Sequence, residues 1–332
     1  MKKIGVLGAG TWGMALAVMC TKAGHDVTVW SAIGEEVDVL AETRKQKNLP
    51  GMIIPMETKF TKSLEEVCRD KDALLFVVPS VYVRSTAAQA AEFIEDGQLI
   101  VDAAKGIEKG TLYTMTQVIG DEMRKAGKQV RLCALTGPTH AEEVALGLPT
   151  LIVSASDDIK AAEEIQDIFM NPVFRVYTNT DMLGAELCGA VKNIIALAAG
   201  ISGGLGYGDN ARAALITRGM AEIKRLGMAM GCEEATFDGL AGMGDLIVTA
   251  TSTHSRNNRC GTLIGQGLSA EEAIKQVGMV VEGINAIPAV MELAEKYHVE
   301  MPISEAVKGI VFDGKDARTS VNALMTRDRK GE

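Results

Sequence analysis

Short β-branched and leucine-rich runs alternate with longer, helix-patterned stretches through the first half of the chain. Residues 3–7, 27–30, 73–78, 99–102, 131–135, 151–154 and 174–177 read as strands. Several are near-continuous apolar runs, the pattern of a sheet covered on both faces. Between them, residues 13–23 and 81–94 carry helical patterning. Asn48-Leu49-Pro50-Gly51, with Pro55 close behind, reads as a loop. This alternation predicts an α/β fold with a doubly wound, mostly parallel sheet. From about residue 179 the β runs stop. Helical stretches follow at 181–201, 210–230, 269–277 and 283–297, and a glycine-rich connection at 239–267 interrupts them. The expected layout is an α/β domain over residues 1–178 and an all-α C-terminal domain over 179–332. A cleft between two such domains is a common ligand site.

Composition narrows the function classes. The 332 residues suit one large or two medium domains, and 47% hydrophobic residues suffice for a core. A net charge of −9 argues against a general nucleic-acid binder, which needs Lys and Arg for phosphates. Glycine, at 35 residues, is enriched and suggests close backbone packing and many tight turns. The six cysteines are scattered without C-x-x-C and read as reduced core residues of a cytoplasmic protein. The four histidines form no metal-binding pattern, so no metal is expected. Met1-Lys2-Lys3 and the apolar stretch to Cys20 mimic a signal peptide, but Gly8, Gly10 and Gly13 interrupt it. The apolar run 184–206 contains Glu186, Lys192 and many glycines, a poor membrane span, so no membrane insertion is expected.

Gly8-Ala9-Gly10-Thr11-Trp12-Gly13 is G-x-G-x-x-G placed between a strand and an apolar helix. That context marks a Rossmann dinucleotide site. The first glycine makes the tight turn, the second admits the pyrophosphate, and the third lets helix and strand pack closely. The helix N-terminus stabilises the anion. At the end of the second strand an NAD site usually carries Asp or Glu for the ribose hydroxyls. Here Trp30 is followed by Ser31 and Ala32, while Glu35 and Glu36 come late for that place. Ser31 can donate to a 2′-phosphate without repelling it, so NADP or NAD is expected, with NADPH slightly favoured.

Charged residues in unusual surroundings mark the chemistry. Lys105 stands between Ala104 and Gly106 just past a strand end, where open α/β sheets bind ligands. Gly137-Pro138-Thr139 also follows a strand, and Thr139 with Glu142 fits a capping box. Lys192 lies mid-helix among small and apolar residues, with Glu186 six positions away and off its face. A buried unpaired lysine is costly, so Lys192 needs a partner or a ligand. Asp245 in Gly242-Met243-Gly244-Asp245 is either that partner or an Asx-turn residue. Ser255-Arg256-Asn257-Asn258-Arg259 suits a phosphate, or is a helix start with exposed arginines.

Together these segments resemble the bacterial NAD(P)-dependent glycerol-3-phosphate dehydrogenases. The likeness is carried by the glycine loop, Asn48-Leu49-Pro50-Gly51, Ala104-Lys105-Gly106-Ile107, Gly137-Pro138-Thr139, Gly189-Ala190-Val191-Lys192-Asn193-Ile194-Ile195-Ala196, Asn210-Ala211-Arg212, Gly242-Met243-Gly244-Asp245, Ser255-Arg256-Asn257 and Val281-Glu282-Gly283. The resemblance implies reversible reduction of dihydroxyacetone phosphate to glycerol 3-phosphate, which supplies glycerophospholipid synthesis. It implies Lys192 as proton donor and acceptor, and the residue chemistry agrees, with Asp245 orienting the lysine and Lys105 near the substrate carbonyl and phosphate as the other catalytic candidates. It implies substrate contacts from Lys105, Gly137, Thr139, Lys192, Asp245, Ser255, Arg256 and Asn257. Cofactor contacts would come from Thr11, Trp12, Lys105, Ala141, Arg256, Val280 and Glu282. A cytoplasmic homodimer is implied as well. One departure stands at Ser31-Ala32, where many members carry a basic residue that favours NADP. Two rival readings are a β-hydroxyacid dehydrogenase and a non-catalytic NAD(P)-binding redox sensor. The first typically has Asn four residues after the lysine, where this chain has Ala196 and places Asn193 next to Lys192. The second needs neither lysine nor an Arg-Asn anchor.

Overall fold

The computed structural model describes residues 1–329 and 331. Two compact units emerge: Met1–Lys105 with Tyr113–Glu186, and Gly106–Leu112 with the chain from Leu187 onward.

The first unit is built on one eight-stranded sheet: β1 (Lys3–Leu7), β2 (Asp26–Trp30), β3 (Lys59–Thr61), β4 (Ala73–Phe76), β5 (Leu99–Asp102), β6 (Arg131–Thr136), β7 (Thr150–Ala155) and β8 (Phe174–Asn179). Their order is β3-β2-β1-β4-β5-β6-β7-β8. All neighbours pair in parallel except β6 and β7. The near-continuous apolar strands arise because both faces are covered. Val6, Leu75, Val101 and Cys133 belong to one core, and Leu74, Phe76, Ile100 and Met115 to the other. Strand β3 escaped the sequence pattern because three residues, Lys59-Phe60-Thr61, are too few to show a period. It forms an edge by pairing with Thr28–Trp30. The strand order reverses between β1 and β4, which makes the carboxyl end of β1 the topological switch point.

The second unit is helical. Residues 239–267 are not an irregular connection. They form a π-helical turn at Leu240–Gly244 and helices at Asp245–Thr251 and Arg256–Gly265. The glycines serve a helix–helix seam as well as turns. A Cβ at Gly261 would lie 2.1 Å from the Leu197 carbonyl, and one at Gly200 would lie 2.1 Å from that of Asn258. Gly204 and Gly265 meet the opposite backbone equally closely. Only glycine lets Met182–Gly204 and Arg256–Gly265 touch backbone to backbone. The helix Met182–Gly204 is long and apolar enough to cross a membrane, yet 94% of its most apolar window is buried inside the protein. That is how a core helix behaves.

Candidate active site

The glycine loop leaves the end of β1 and starts the helix Thr11–Lys22. Gly8 has φ +125°, and a Cβ there would come within 2.8 Å of the Val77 backbone. A Cβ at Gly13 would lie 2.0 Å from the Gly8 carbonyl oxygen. At Gly10, the helix N-cap, a Cβ would meet nothing within 4 Å. The first and third glycines are thus required by the protein's own packing, while the second borders open space beside the helix N-terminus. That arrangement fits a dinucleotide pyrophosphate. Two residues brace the loop from outside: Gln46 Nε2 donates to the Ala9 carbonyl at 3.1 Å, and Asn48 Nδ2 to Thr11 Oγ1 at 3.4 Å. Gln46 carried no signal in the sequence, since its role exists only through this contact. Trp12 is half-buried against the core on its side of the sheet.

The end of β2 differs from its sequence reading. Ser31 Oγ donates to Glu36 Oε2 at 2.7 Å and accepts from the Ile33 amide at 3.2 Å. Glu36 was expected too late in the chain to serve the strand end. The helix Gly34–Thr43 starts so soon that its first turn brings Glu36 back beside Ser31.

Past β5 and β6 two expected residues converge on the carbonyl of a third. Lys105 Nζ donates to the Gly137 oxygen at 3.3 Å and Thr139 Oγ1 to the same oxygen at 3.2 Å. Gly137 has φ +148°, and a Cβ there would press to 3.2 Å from Ile152 Cα. The capping box expected from Thr139 and Glu142 does not form. The N-cap of the helix Ala141–Ala145 is His140, and the Thr139 hydroxyl faces Gly137 instead. Ala141 is the buried first residue of that helix.

In the helical unit Lys192 is 4% exposed. Its Nζ donates to Asp245 Oδ1 at 2.6 Å and to Thr249 Oγ1 at 2.5 Å. Asp245 is therefore the carboxylate partner that the lysine needs. Thr249 was missed by sequence reasoning. It follows Asp245 by one helical turn, so its hydroxyl donates to the Asp245 carbonyl at 2.6 Å while accepting from Lys192. Glu186 is occupied elsewhere. It accepts from Thr114 Oγ1 at 2.8 Å, from the Thr116 amide at 2.9 Å and from the Thr116 hydroxyl.

Ser255 caps the helix Arg256–Gly265 through its side chain, which accepts from the Asn258 amide at 3.2 Å. Arg256, the first helical residue, is exposed, whereas Asn257 is buried. Asn257 Nδ2 donates to Asn193 Oδ1 at 2.9 Å, and its Oδ1 accepts from the Gly283 amide at 2.8 Å. Asn257 thus ties the neighbour of Lys192 to the start of the helix Glu282–Lys296, which Val280 precedes by two residues. The Ser255-Arg256-Asn257 segment splits into a cap, an outward cation and an internal tie.

Comparison with known proteins agrees over the whole chain. Residues 3–162 match the family model for the N-terminus of NAD-dependent glycerol-3-phosphate dehydrogenase, and residues 181–322 match that for its C-terminus. Glycerol-3-phosphate dehydrogenase [NAD(P)+] 2 of Lactobacillus delbrueckii subsp. bulgaricus is 67% identical, over 100% of this chain and 99% of that protein. The Fusobacterium nucleatum glycerol-3-phosphate dehydrogenase [NAD(P)+] is 50% identical, with 100% and 99% covered. The crystal structure of glycerol-3-phosphate dehydrogenase from Coxiella burnetii superimposes with a TM-score of 0.93 at 37% identity, covering 98% of this chain and 99% of that one. The chain belongs to the NAD-dependent glycerol-3-phosphate dehydrogenase family.

Proposed function

We infer that this chain is an NAD(P)-dependent oxidoreductase that interconverts dihydroxyacetone phosphate and glycerol 3-phosphate. The observation that carries the chemistry is the buried Lys192 ammonium held at 2.6 Å by Asp245. Reducing a ketone requires a proton for the oxygen that becomes a hydroxyl, delivered as a hydride reaches the carbon. The nicotinamide dinucleotide supplies the hydride when bound. The glycine loop, Thr11 and Trp12 are the residues that would hold it, with Ser31, Ala141, Val280 and Glu282 as further contacts. Lys192 Nζ gives its proton to the substrate oxygen and takes it back in the reverse direction. Asp245 and Thr249 orient the ammonium. The positive charges of Arg256 and Lys105 suit the substrate phosphate, and a phosphate held away from the reacting carbon fixes that carbon's orientation. Gly137, Thr139, Ser255 and Asn257 shape and brace the substrate-binding segments.

Residues 1–178 bind the dinucleotide and contribute Lys105, Gly137 and Thr139 to substrate binding, and residues 179–332 carry Lys192, Asp245 and the other substrate groups. The enzyme works in the cytoplasm as a homodimer. Its product enters glycerophospholipid synthesis. The test is direct: purified protein should oxidise NADH or NADPH only when dihydroxyacetone phosphate is added. Turnover with a 3-hydroxyacid pair instead would favour the β-hydroxyacid dehydrogenase reading, and binding without turnover would favour the sensor.

A further inference from the structure

We propose that Glu36, tethered by Ser31, is the residue that discriminates between the two nicotinamide dinucleotides, and that it selects the one without a 2′-phosphate. The inference rests on the dinucleotide reading of the glycine loop. Contacts within one short region fix where the selecting group stands. The Gly8 amide donates to the Trp30 carbonyl at 2.9 Å, so the last residue of β2 lies against the first turn of the loop. Ser31 follows at once, is buried, and its hydroxyl donates to Glu36 Oε2 at 2.7 Å. The same hydroxyl oxygen accepts from the Ile33 amide, which closes the turn that leads Glu36 back. A pyrophosphate on the open side of Gly10 places the adenosine ribose at the end of the adjacent strand. There the Glu36 carboxylate can accept from the ribose hydroxyls, since it has about four lone-pair sites and Ser31 uses one.

A 2′-phosphate at the same place would bring a second anion against the carboxylate, and like charges at short range repel. The other charges nearby do not reverse the sign. Glu35 shares the first turn of the Gly34–Thr43 helix. Lys62 is the cation beside Gly34, its Nζ 3.8 Å from where a Gly34 Cβ would stand. It is already matched by Asp38 at 2.7 Å. No arginine occurs between Ser31 and Glu36. A slight preference for NADPH, expected from the lack of a carboxylate right after β2, is thereby replaced by a preference for NADH.

The test is calorimetric titration of NAD+ and NADP+ into the intact protein without substrate, for wild type and Glu36→Gln. Wild type should bind NAD+ about tenfold more tightly than NADP+, a difference of about 1.4 kcal/mol. Glu36→Gln should lower that ratio at least about threefold by relieving NADP+ binding. NADP+ binding as tightly as NAD+ in wild type overturns the inference without any variant, so a poorly folding Glu36→Gln does not shield it. A ratio that moves by less than threefold in Glu36→Gln overturns it too. Binding of neither dinucleotide contradicts the cofactor reading itself.

Discussion

Asp102 and Asp245 are each 1% exposed, and they are opposite in chemistry. Asp245 has a lysine ammonium at 2.6 Å and a threonine hydroxyl beside it, so its charge is matched inside the protein. Among the described residues no cation is paired with Asp102, at the end of β5. Neither of its carboxyl oxygens makes a well-formed hydrogen bond. Burial pushes its pKa well above the usual carboxylate range, the nearby Glu186 pushes it further, and the Ala104 amide offsets this only partly. Burial also raises Glu186, although Thr116 and Thr114 hydroxyls and backbone amides hold its charge in part. The comparison teaches that burial beside a second carboxylate favours the protonated form, and that a carboxylate charge kept at equal depth needs a built partner such as the Lys192 ammonium. Removing two charges from water costs several kcal/mol each, and their attraction repays it only in good geometry. An ion pair kept at that cost, in a helix that could have been wholly apolar, points to use rather than to stability.

The largest effect that would sharpen this contrast is at Lys192. Lys192→Met should lower turnover at least about 10²-fold, the scale of a lost general acid, with dinucleotide affinity unchanged. It should also destabilise the fold by about 3–5 kcal/mol, because Asp245 is left buried and unmatched. The double change Lys192→Met with Asp245→Leu should recover most of the lost stability and none of the turnover. Thermal melts and steady-state rates read both. Recovery of turnover along with stability would make the pair structural.

A smaller effect belongs to Asp102. Its folded-state pKa lies above the unfolded value near 3.8, so the folded state binds the proton more tightly. Stability from this group is complete below that unfolded pKa and is lost as pH rises toward the folded one. Asp102→Asn, always neutral, should therefore match wild type near pH 4. It should become progressively more stable than wild type above it, by at most about 1.4 kcal/mol per pH unit. Melting temperatures at several pH values check this. Equal pH dependence in both proteins would mean that Asp102 is ionised, and the contrast with Asp245 would fail.

The features legible in the sequence were those with a local cause. Gly8 and Gly13 announce themselves because strand, turn and helix meet there in sequence as well as in space. Lys192 stood out because a lysine inside an apolar helix has no local explanation. The alternating strands were readable because both faces of the sheet are covered, whereas β3 was too short to show a pattern. What stayed hidden depends on the fold. Thr249 and Gln46 acquire roles only through partners 57 and 37 residues away. Glu36 acquires its place through a helix turn that doubles back on Ser31. The glycines of 239–267 were misread because a residue count does not separate a turn from a close helix crossing. Gly261 and Gly265 are needed where they touch another backbone.

The central claim is that the Lys192 ammonium hands a proton to the substrate oxygen, and chemical rescue measures it most directly. Lys192→Ala removes the donor and leaves a cavity between Asp245 and Thr249, the two groups that held the ammonium. Dihydroxyacetone phosphate reduction by this variant should be slow and should rise with the concentration of a small alkylammonium ion, while wild type does not respond. A Lys192→Ala enzyme that reduces the substrate at the wild-type rate without added amine would contradict the claim.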